Sequence, residues 1–458
     1  MSFHESCKQL DGGIDGRLST YITKTKAIQL LENFSSRAVA AVGLKGIGKS
    51  SAFRYLTEFS RRPDEVVVAI DPDRFSLHLP NRNLHYATCR KQFEHDIVIE
   101  ALRAITTHQP AFKASNIKAL IGPAQQEVDS YLKALKAFFK RDIGFSVLGC
   151  GFNWGKADQP VLVGLRKDSE VQSAYVVLRS ICSSGVRVRI VVDDPEQVFS
   201  ASRTLDTHLV GGFCLAAIRL SDAIPNLKIV ALFKTHVYQP MMIEVDDLTR
   251  YPEHMVRLRW TPDELTEVVQ RRLDAEKQKW PDVFDGSATE GKSLIRSQLS
   301  RITRNGPRDL LHTLDVALQK SSTGKIGKAE LSAARERASQ DSLDELTSAY
   351  NSLYPQYGDV VRAVFHDSAD QSFTLKKLRE HIQTLLINDH NMKALSRVGW
   401  MQSRSSETLP GLFFETGVLA LELGTTLTLP YDEEYNLDQF RRAKAVRLVP
   451  ALVEAVTA

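Results

Sequence analysis

Gly43-Leu-Lys-Gly-Ile-Gly-Lys-Ser50 satisfies the pattern G-x-x-x-x-G-K-[ST] at each fixed position, and its flanks narrow the fold further. The apolar run Ala38-Val-Ala-Ala-Val42 precedes it and Ser51-Ala-Phe-Arg-Tyr-Leu56 follows, so the loop is expected to join a buried strand to a helix. Glycines let backbone N–H groups turn toward phosphate oxygens, and the helix N-terminus adds the positive end of its dipole. Gly43, Gly46, Gly48, Lys49, Ser50 and Ser51 are the expected contacts to a bound nucleotide. Lys49 is placed to reach the β- and γ-phosphates, and the Ser50 hydroxyl to join the shell of a Mg²⁺ ion. The pattern implies ATP or GTP as ligand.

The chain has 458 residues, more than one hydrophobic core serves, so two or three domains are expected. With 43% hydrophobic and 25% charged residues the composition is that of an ordinary globular protein. A net charge of +4 does not by itself argue for nucleic acid; such contact requires a local basic face. No apolar run reaches the length of a membrane span, and the start Met-Ser-Phe-His-Glu-Ser-Cys-Lys lacks a signal-peptide core. The cysteines Cys7, Cys89, Cys150, Cys182 and Cys214 are scattered and form no C-x-x-C pair, so neither a disulfide framework nor a zinc site is expected. A cytoplasmic location follows as the simplest expectation.

Residues 1–36 form a lead-in with a helix expected over Tyr21 to Phe34. Residues 37–260 alternate strands and helices. The strands are Ala38 to Val42, Glu65 to Ile70, Val186 to Val192, Leu227 to Phe233 and Met255 to Trp260; the helices are near Lys91 to Thr107, Val171 to Ser183 and Leu205 to Ala223. That alternation predicts a parallel sheet covered on both faces. A segment at about 108–170 reads as an insertion, with an amphipathic helix carrying Val128, Tyr131, Leu132, Leu135, Phe138 and Phe139, then a hairpin-like stretch from Ile143 to Trp154. Residues 261–340 are helical throughout and open on Thr261 as N-cap, Pro262 at the first helical position and Glu264 placed for a capping box. Residues 341–458 hold short helices and then β-like pieces at Leu412 to Glu415, Gly417 to Leu423 and Thr425 to Leu429.

Arg187-Val-Arg-Ile-Val-Val192 runs into Asp193-Asp-Pro-Glu196, a buried strand ending in acids. Beside a phosphate loop this is the arrangement that holds Mg²⁺ and activates a water, with Asp193 in the metal role and Asp194 or Glu196 in the water role. The strand Lys228 to Phe233 ends in Lys234-Thr-His236, where Thr235 fits a γ-phosphate-sensing place and Lys234 and His236 are alternatives. Arg304-Asn-Gly-Pro-Arg-Asp-Leu310 opens a helix, so Arg308 is set to reach back over a nucleotide. Arg250, before the last strand, stands where an arginine offered to a neighbouring subunit would come from. Two sets of basic residues could meet phosphates: Lys133, Lys136, Lys140 and Arg141, and toward the C-terminus Lys393, Arg397, Arg404, Arg441, Arg442, Lys444 and Arg447.

The ordered set of phosphate loop, Asp193-Asp194, Lys228 to His236, Trp260-Thr-Pro-Asp-Glu-Leu265 and Gly306-Pro-Arg308 resembles bacterial ATPases of the AAA+/STAND assemblage, nearest a branch found beside defence genes. Its layout is also similar to initiator ATPases of the origin-recognition type. The resemblance covers about residues 20–330 well and the rest loosely. It implies a five-stranded P-loop sheet, a helical lid and a C-terminal winged-helix-like α+β domain, with Phe373 to Leu386 and His390 to Val398 as helices and Leu412 to Leu429 as the wing. It implies ATP and Mg²⁺ as cofactors, Thr235 and Arg308 as sensors, and Lys393 and Arg397 facing the major groove in a DNA-reading version. Two departures stand out: relatives tend to read Leu-Arg-Ser-Asp-Ile where this chain has Phe233-Lys-Thr-His-Val237, and Asp-Asp-Leu-Asp-Arg where it has Asp-Asp-Pro-Glu. The expected function is an ATP-driven switch acting on a protein partner or on assembly of the chain with itself, in antiviral defence by analogy. The alternatives are a DNA-binding initiator or loader, and a nucleotide-binding scaffold with little turnover.

Overall fold

The computed structural model describes residues 2–10, 15–62, 65–70, 85–107, 168–195, 207–235, 237, 241–242, 245–304, 306–351, 354–402, 405–423, 426–428, 440 and 443–457. Strands β1 (Ala40–Gly43), β2 (Glu65–Ile70), β3 (Arg187–Asp193), β4 (Leu227–Lys234) and β5 (Met255–Arg257) form one sheet in the order β2-β3-β4-β1-β5. All four pairings are parallel. β3 and β4 are apolar runs buried on both faces, as a sheet sandwiched between helices requires, while the edge strand β2 buries Val66, Val68 and Ile70 and exposes Ala69. Tyr86–Thr107, Asp168–Ser183 and Thr207–Ala223 cover one face. Lys26–Glu32, the helix after β1 and the lid share a second core on the other. The proposed insertion lies mostly outside the described residues, as do Glu196, His236, Arg404, Arg441 and Arg442.

Opposite the strands' carboxyl ends the sheet buries charge. Arg189 is fully buried, with Nε 2.9 Å from Glu65 Oε1, and it donates to the carbonyls of Leu56 at 3.2 Å and Glu32 at 3.0 Å. A pair so enclosed ties β2, β3 and the helix after β1 together; losing one partner leaves an uncompensated charge at about 3–5 kcal/mol. Lys228 is 1% exposed and donates to the Ser36 carbonyl at 2.6 Å. Burial pushes its ammonium down to about 8, Arg189 adds to the shift and Asp222 opposes it. The unfolded chain keeps this proton up to about pH 10, so folding releases it in the window from about 8 to 10, and this residue's contribution to stability rises with pH there. Lys228→Met is therefore expected to raise Tm at pH 7, with a smaller gain at pH 9. Thermal melts at both pH values test this, and a lower Tm at pH 7 would mean that the bond to Ser36 outweighs the burial cost.

The helical region opens as its sequence dictates: Thr261 caps the Glu264 N–H, Glu264 returns the bond and Pro262 occupies the first turn of Pro262–Ala275. Trp280–Val283, Ala288–Ile302 and Pro307–Lys320 follow, and then Lys328–Tyr350, which runs across the boundary drawn at 340/341. A third core, from Leu343 to Val456, belongs to the C-terminal α+β unit, where β6 (Ser372–Phe373), β7 (Leu419–Leu423), β8 (Thr426–Thr428) and β9 (Ala445–Leu448) form an antiparallel sheet in the order β6-β9-β7-β8. Two expectations need correction. The expected β piece at Leu412 to Glu415 is the end of a helix, Leu409–Glu415, which buries Leu409, Leu412, Phe413 and Phe414. The expected single helix from Tyr21 to Phe34 is broken: Leu18–Tyr21 ends at an extended Ile22, and Thr25 caps a new helix by accepting from the Ile28 N–H. No helix among the described residues is long and apolar enough to cross a membrane. Cys7, Cys89, Cys182 and Cys214 are buried and form no disulfide among the described residues.

Candidate functional site

Because the strands run parallel, their carboxyl ends gather on one edge, and that edge is where open α/β sheets bind ligands. Pairing brings Gly43 beside Lys234, and Asp193 beside Leu232. The chain leaves β1 through Gly46 at φ +82° and Gly48 at φ +100°, left-handed backbone that a side chain resists; Gly48 is also the N-cap of Lys49–Arg54. The loop thereby curls around the start of a helix whose first N–H groups have no partner within the helix. Lys49 is 7% exposed, and its Nζ donates to the carbonyls of Gly43 at 3.2 Å and Leu44 at 3.1 Å, which fixes the ammonium over the loop. Trp260 braces the loop from outside, donating from Nε1 to the Ile47 carbonyl at 2.7 Å.

At the end of β3, the Asp193 carboxylate shares a hydrogen bond with Ser50. Burial pushes its pKa up to about 6; the neighbouring charge of Asp194 adds to this, and Lys49, Lys234 and Ser50 oppose it. Asp193 Oδ1 is buried and accepts no hydrogen bond from the described residues. A buried oxygen in need of a partner, next to a serine hydroxyl at the phosphate loop, is the donor set that a hard divalent cation takes up. Ser50 and Asp193 thus fit a Mg²⁺ ion, and when bound it would polarise phosphate oxygens. Asp194 turns at φ +45°, tied by its N–H to the Leu232 carbonyl at 2.9 Å. Its carboxylate meets Lys234 Nζ at 3.1 Å.

The lid completes the wall. Thr303 Oγ1 donates to the Gly306 carbonyl and accepts from the Gly306 N–H, both at 2.8 Å, which sets the entry angle of Pro307–Lys320. A Cβ on Gly306 would stand 3.1 Å from the Gly46 carbonyl, so the lid rests on the phosphate loop itself. Arg308 follows at once, donating from Nε to the Leu10 carbonyl at 3.3 Å and pairing with Glu345. A cavity of about 410 Å³ lies between these parts. Lys45, Lys49, Ser50, Asp194, Lys234 and Arg308 are polar residues of its lining, Leu18, Ile22, Ile28, Val268 and Leu311 apolar ones, and Tyr21 lines it together with its partners Asp15 and Arg272. Its size and its mixture of cationic and apolar lining suit a ligand that carries both phosphate and an apolar group.

Of the residues singled out from sequence, Gly46, Gly48, Lys49, Ser50, Ser51, Asp194, Arg308 and the alternative Lys234 line this cavity. Gly43 ends β1 at its mouth, and Asp193 reaches it through Ser50. Thr235 is half-buried and is not among the lining residues; at that strand end the lining residue is Lys234. Arg250 is exposed and pairs with Asp247 at 3.5 Å. Lys45, Trp260 and Glu345 were not singled out as site residues, and of these only Trp260 carried a signal, standing immediately before the Thr-Pro cap.

These features define a P-loop nucleotide-binding fold with a helical lid. No family model matches the chain, and no curated protein matches it. Among solved structures, a Walker-type ATPase of Pyrococcus abyssi is similar at 12% identity and a TM-score of 0.46, covering 95% of this chain and 96% of that one. The ORC2 protein of Aeropyrum pernix, solved as ADPNP–ADP complexes, is similar at 11% identity and a TM-score of 0.41, covering 97% of each chain. Likenesses this distant transfer no ligand or partner.

Proposed function

We propose that this chain is an ATP-binding, Mg²⁺-dependent P-loop ATPase that works as a switch on a protein partner or on its own assembly. The supporting observation is convergence. Lys49 and Ser50 from the loop, Asp193 and Asp194 from β3, Lys234 from β4 and Arg308 from the lid come together from separate parts of the sequence around one cavity. In this reading Lys49, Lys234 and Arg308 neutralise the phosphates, Ser50 and Asp193 hold the metal, and Asp194 orients the attacking water. The apolar lining residues receive the base. Mg²⁺ supplies charge neutralisation across the phosphate oxygens. Arg308 belongs to the lid, so contact with a terminal phosphate would draw the lid to the loop and loss of that phosphate would release it. The sequence resemblance is what supports a role beside defence genes. Titration with MgATP tests the reading: saturable binding is expected, with a change of oligomeric mass by mass photometry, and absence of binding at about 1 mM nucleotide would refute it.

A second reading, a DNA-binding initiator-like ATPase, draws on the C-terminal unit. There Tyr357–Phe365, β6, four helices between Leu375 and Glu415 and the β7–β8 hairpin follow in order, which supports a winged-helix-like domain, and Lys376, Lys377, Lys393 and Arg397 are exposed on it. Duplex affinity that falls steeply with salt and disappears on charge reversal of Lys393 and Arg397 would favour this reading.

A further inference from the structure

Arg308 has two claimants. It lines the cavity beside Lys45, Lys49 and Lys234, and its guanidinium is paired with Glu345. Among the described residues Glu345 is the one carboxylate within ion-pair distance of Arg308. Arg308 is 28% exposed at its side chain and Glu345 20%, so the pair is partly screened and open to exchange. Arg304 stands nearby but does not depend on Glu345. Asp309 takes its Nε at 3.2 Å, its Nη2 at 3.4 Å and its backbone N–H at 3.0 Å, against 3.8 Å from Arg304 to Glu345. Glu345 is therefore committed mainly to Arg308.

Glu345 is also set apart by what carries it. It belongs to Lys328–Tyr350, and Leu343, Leu346 and Tyr350 of that helix are buried in the C-terminal core. Arg308 belongs to a helix packed on the phosphate loop. The pair thus links the nucleotide cavity to the C-terminal unit.

We propose that Glu345 is a specificity-determining residue: it competes with the terminal phosphate of a nucleoside triphosphate for Arg308 and so sets the preference of the cavity for triphosphate over diphosphate. The proposal rests on the nucleotide-binding reading above. A diphosphate held by the loop and Lys49 does not need Arg308, so its affinity is blind to the exchange. A triphosphate gains Arg308 only after displacing Glu345, and its affinity is lowered by the strength of that pair. Exchange also removes one tie between Lys328–Tyr350 and the lid, while Leu331 and Ala334 stay packed in the lid's core and His312 stays paired with Asp341, which gives the C-terminal unit a means of sensing the third phosphate.

The test is calorimetric titration of the full chain with ADP and with a non-hydrolysable ATP analogue, both with Mg²⁺. Glu345→Gln keeps the shape and removes the charge. It is expected to tighten the triphosphate analogue by about fivefold, as befits a partly exposed pair, and to leave ADP within about twofold. In an Arg308→Ala background the same substitution is expected to change neither, because the contested group is gone. Glu345→Asp, which retains the carboxylate, is expected to move back toward the wild-type ratio. Equal shifts for both nucleotides, or a gain that persists without Arg308, would mean simple charge repulsion and overturn the proposal. An unchanged ratio in a variant that folds and binds would overturn it too, leaving nucleotide binding intact. A wild-type chain that bound neither nucleotide would defeat both readings.

Discussion

Lys49→Ala is expected to weaken MgATP binding by on the order of 100-fold or more while the chain stays folded. The Lys49 ammonium is held over the loop by the Gly43 and Leu44 carbonyls, inside a helix N-terminus that already favours anions. The loop amides, the dipole and Lys45 remain after truncation, but the ammonium that the loop carbonyls hold in place is lost. For a lysine this buried a charge-assisted bond to phosphate is worth more than on an open surface. Stability moves much less, since two carbonyls lose a donor at about 1 kcal/mol each and both sit where water or ligand can replace it. Calorimetric titration paired with a thermal melt separates the two effects. Near-wild-type affinity in a folded variant would exclude this cavity as the nucleotide site, whereas a parallel collapse of Tm would mean that the lysine serves the loop and not a ligand.

How much of this was legible in the sequence follows from which forces are local. Glu65–Ile70 was readable to the residue because a β-branched run bounded by turn-forming residues has few alternatives, and the lid's entry because a capping box is a contact between near neighbours. The expected strand from Met255 to Trp260 ends at Arg257, and Trp260 instead donates to the Ile47 carbonyl, a long-range bond that hydrophobicity does not reveal. β4 ends one residue beyond Phe233, so the polar residue at the cavity is Lys234; where the side chain alternates, one position decides which residue meets the ligand. Leu-Pro-Gly-Leu-Phe-Phe-Glu415 has the apolar content of a strand, yet Pro410 in the first helical turn and burial of the aromatic side make it a helix. Glu345 gave no signal, being one acid among several on a polar helix; its significance arises only when Arg308 is brought beside it.

Asp193→Asn is expected to leave nucleotide affinity within a few-fold of wild type and to lower turnover by on the order of 100-fold. The residue is tied to the Ser50 hydroxyl, and Oδ1 is buried without a hydrogen bond from the described residues. The amide can preserve one acceptor and the packing. It could not supply the negative charge that Asp193 would give a Mg²⁺ ion in the proposed role. Binding depends more on Lys49 and the loop amides, which the substitution does not touch. A second readout distinguishes this role from a structural one. Two adjacent carboxylates on a buried strand end repel each other and oppose burial, the same causes that raise the Asp193 pKa, so removing one charge relieves the fold. In metal-free buffer Asp193→Asn is therefore expected to melt higher than wild type, a gain of stability at the expense of turnover that is typical where a charge is kept for chemistry. Turnover equal to wild type would refute the metal role. A lower Tm with lost binding would show instead that the Ser50 bond holds the loop, and that Asp193 acts through architecture.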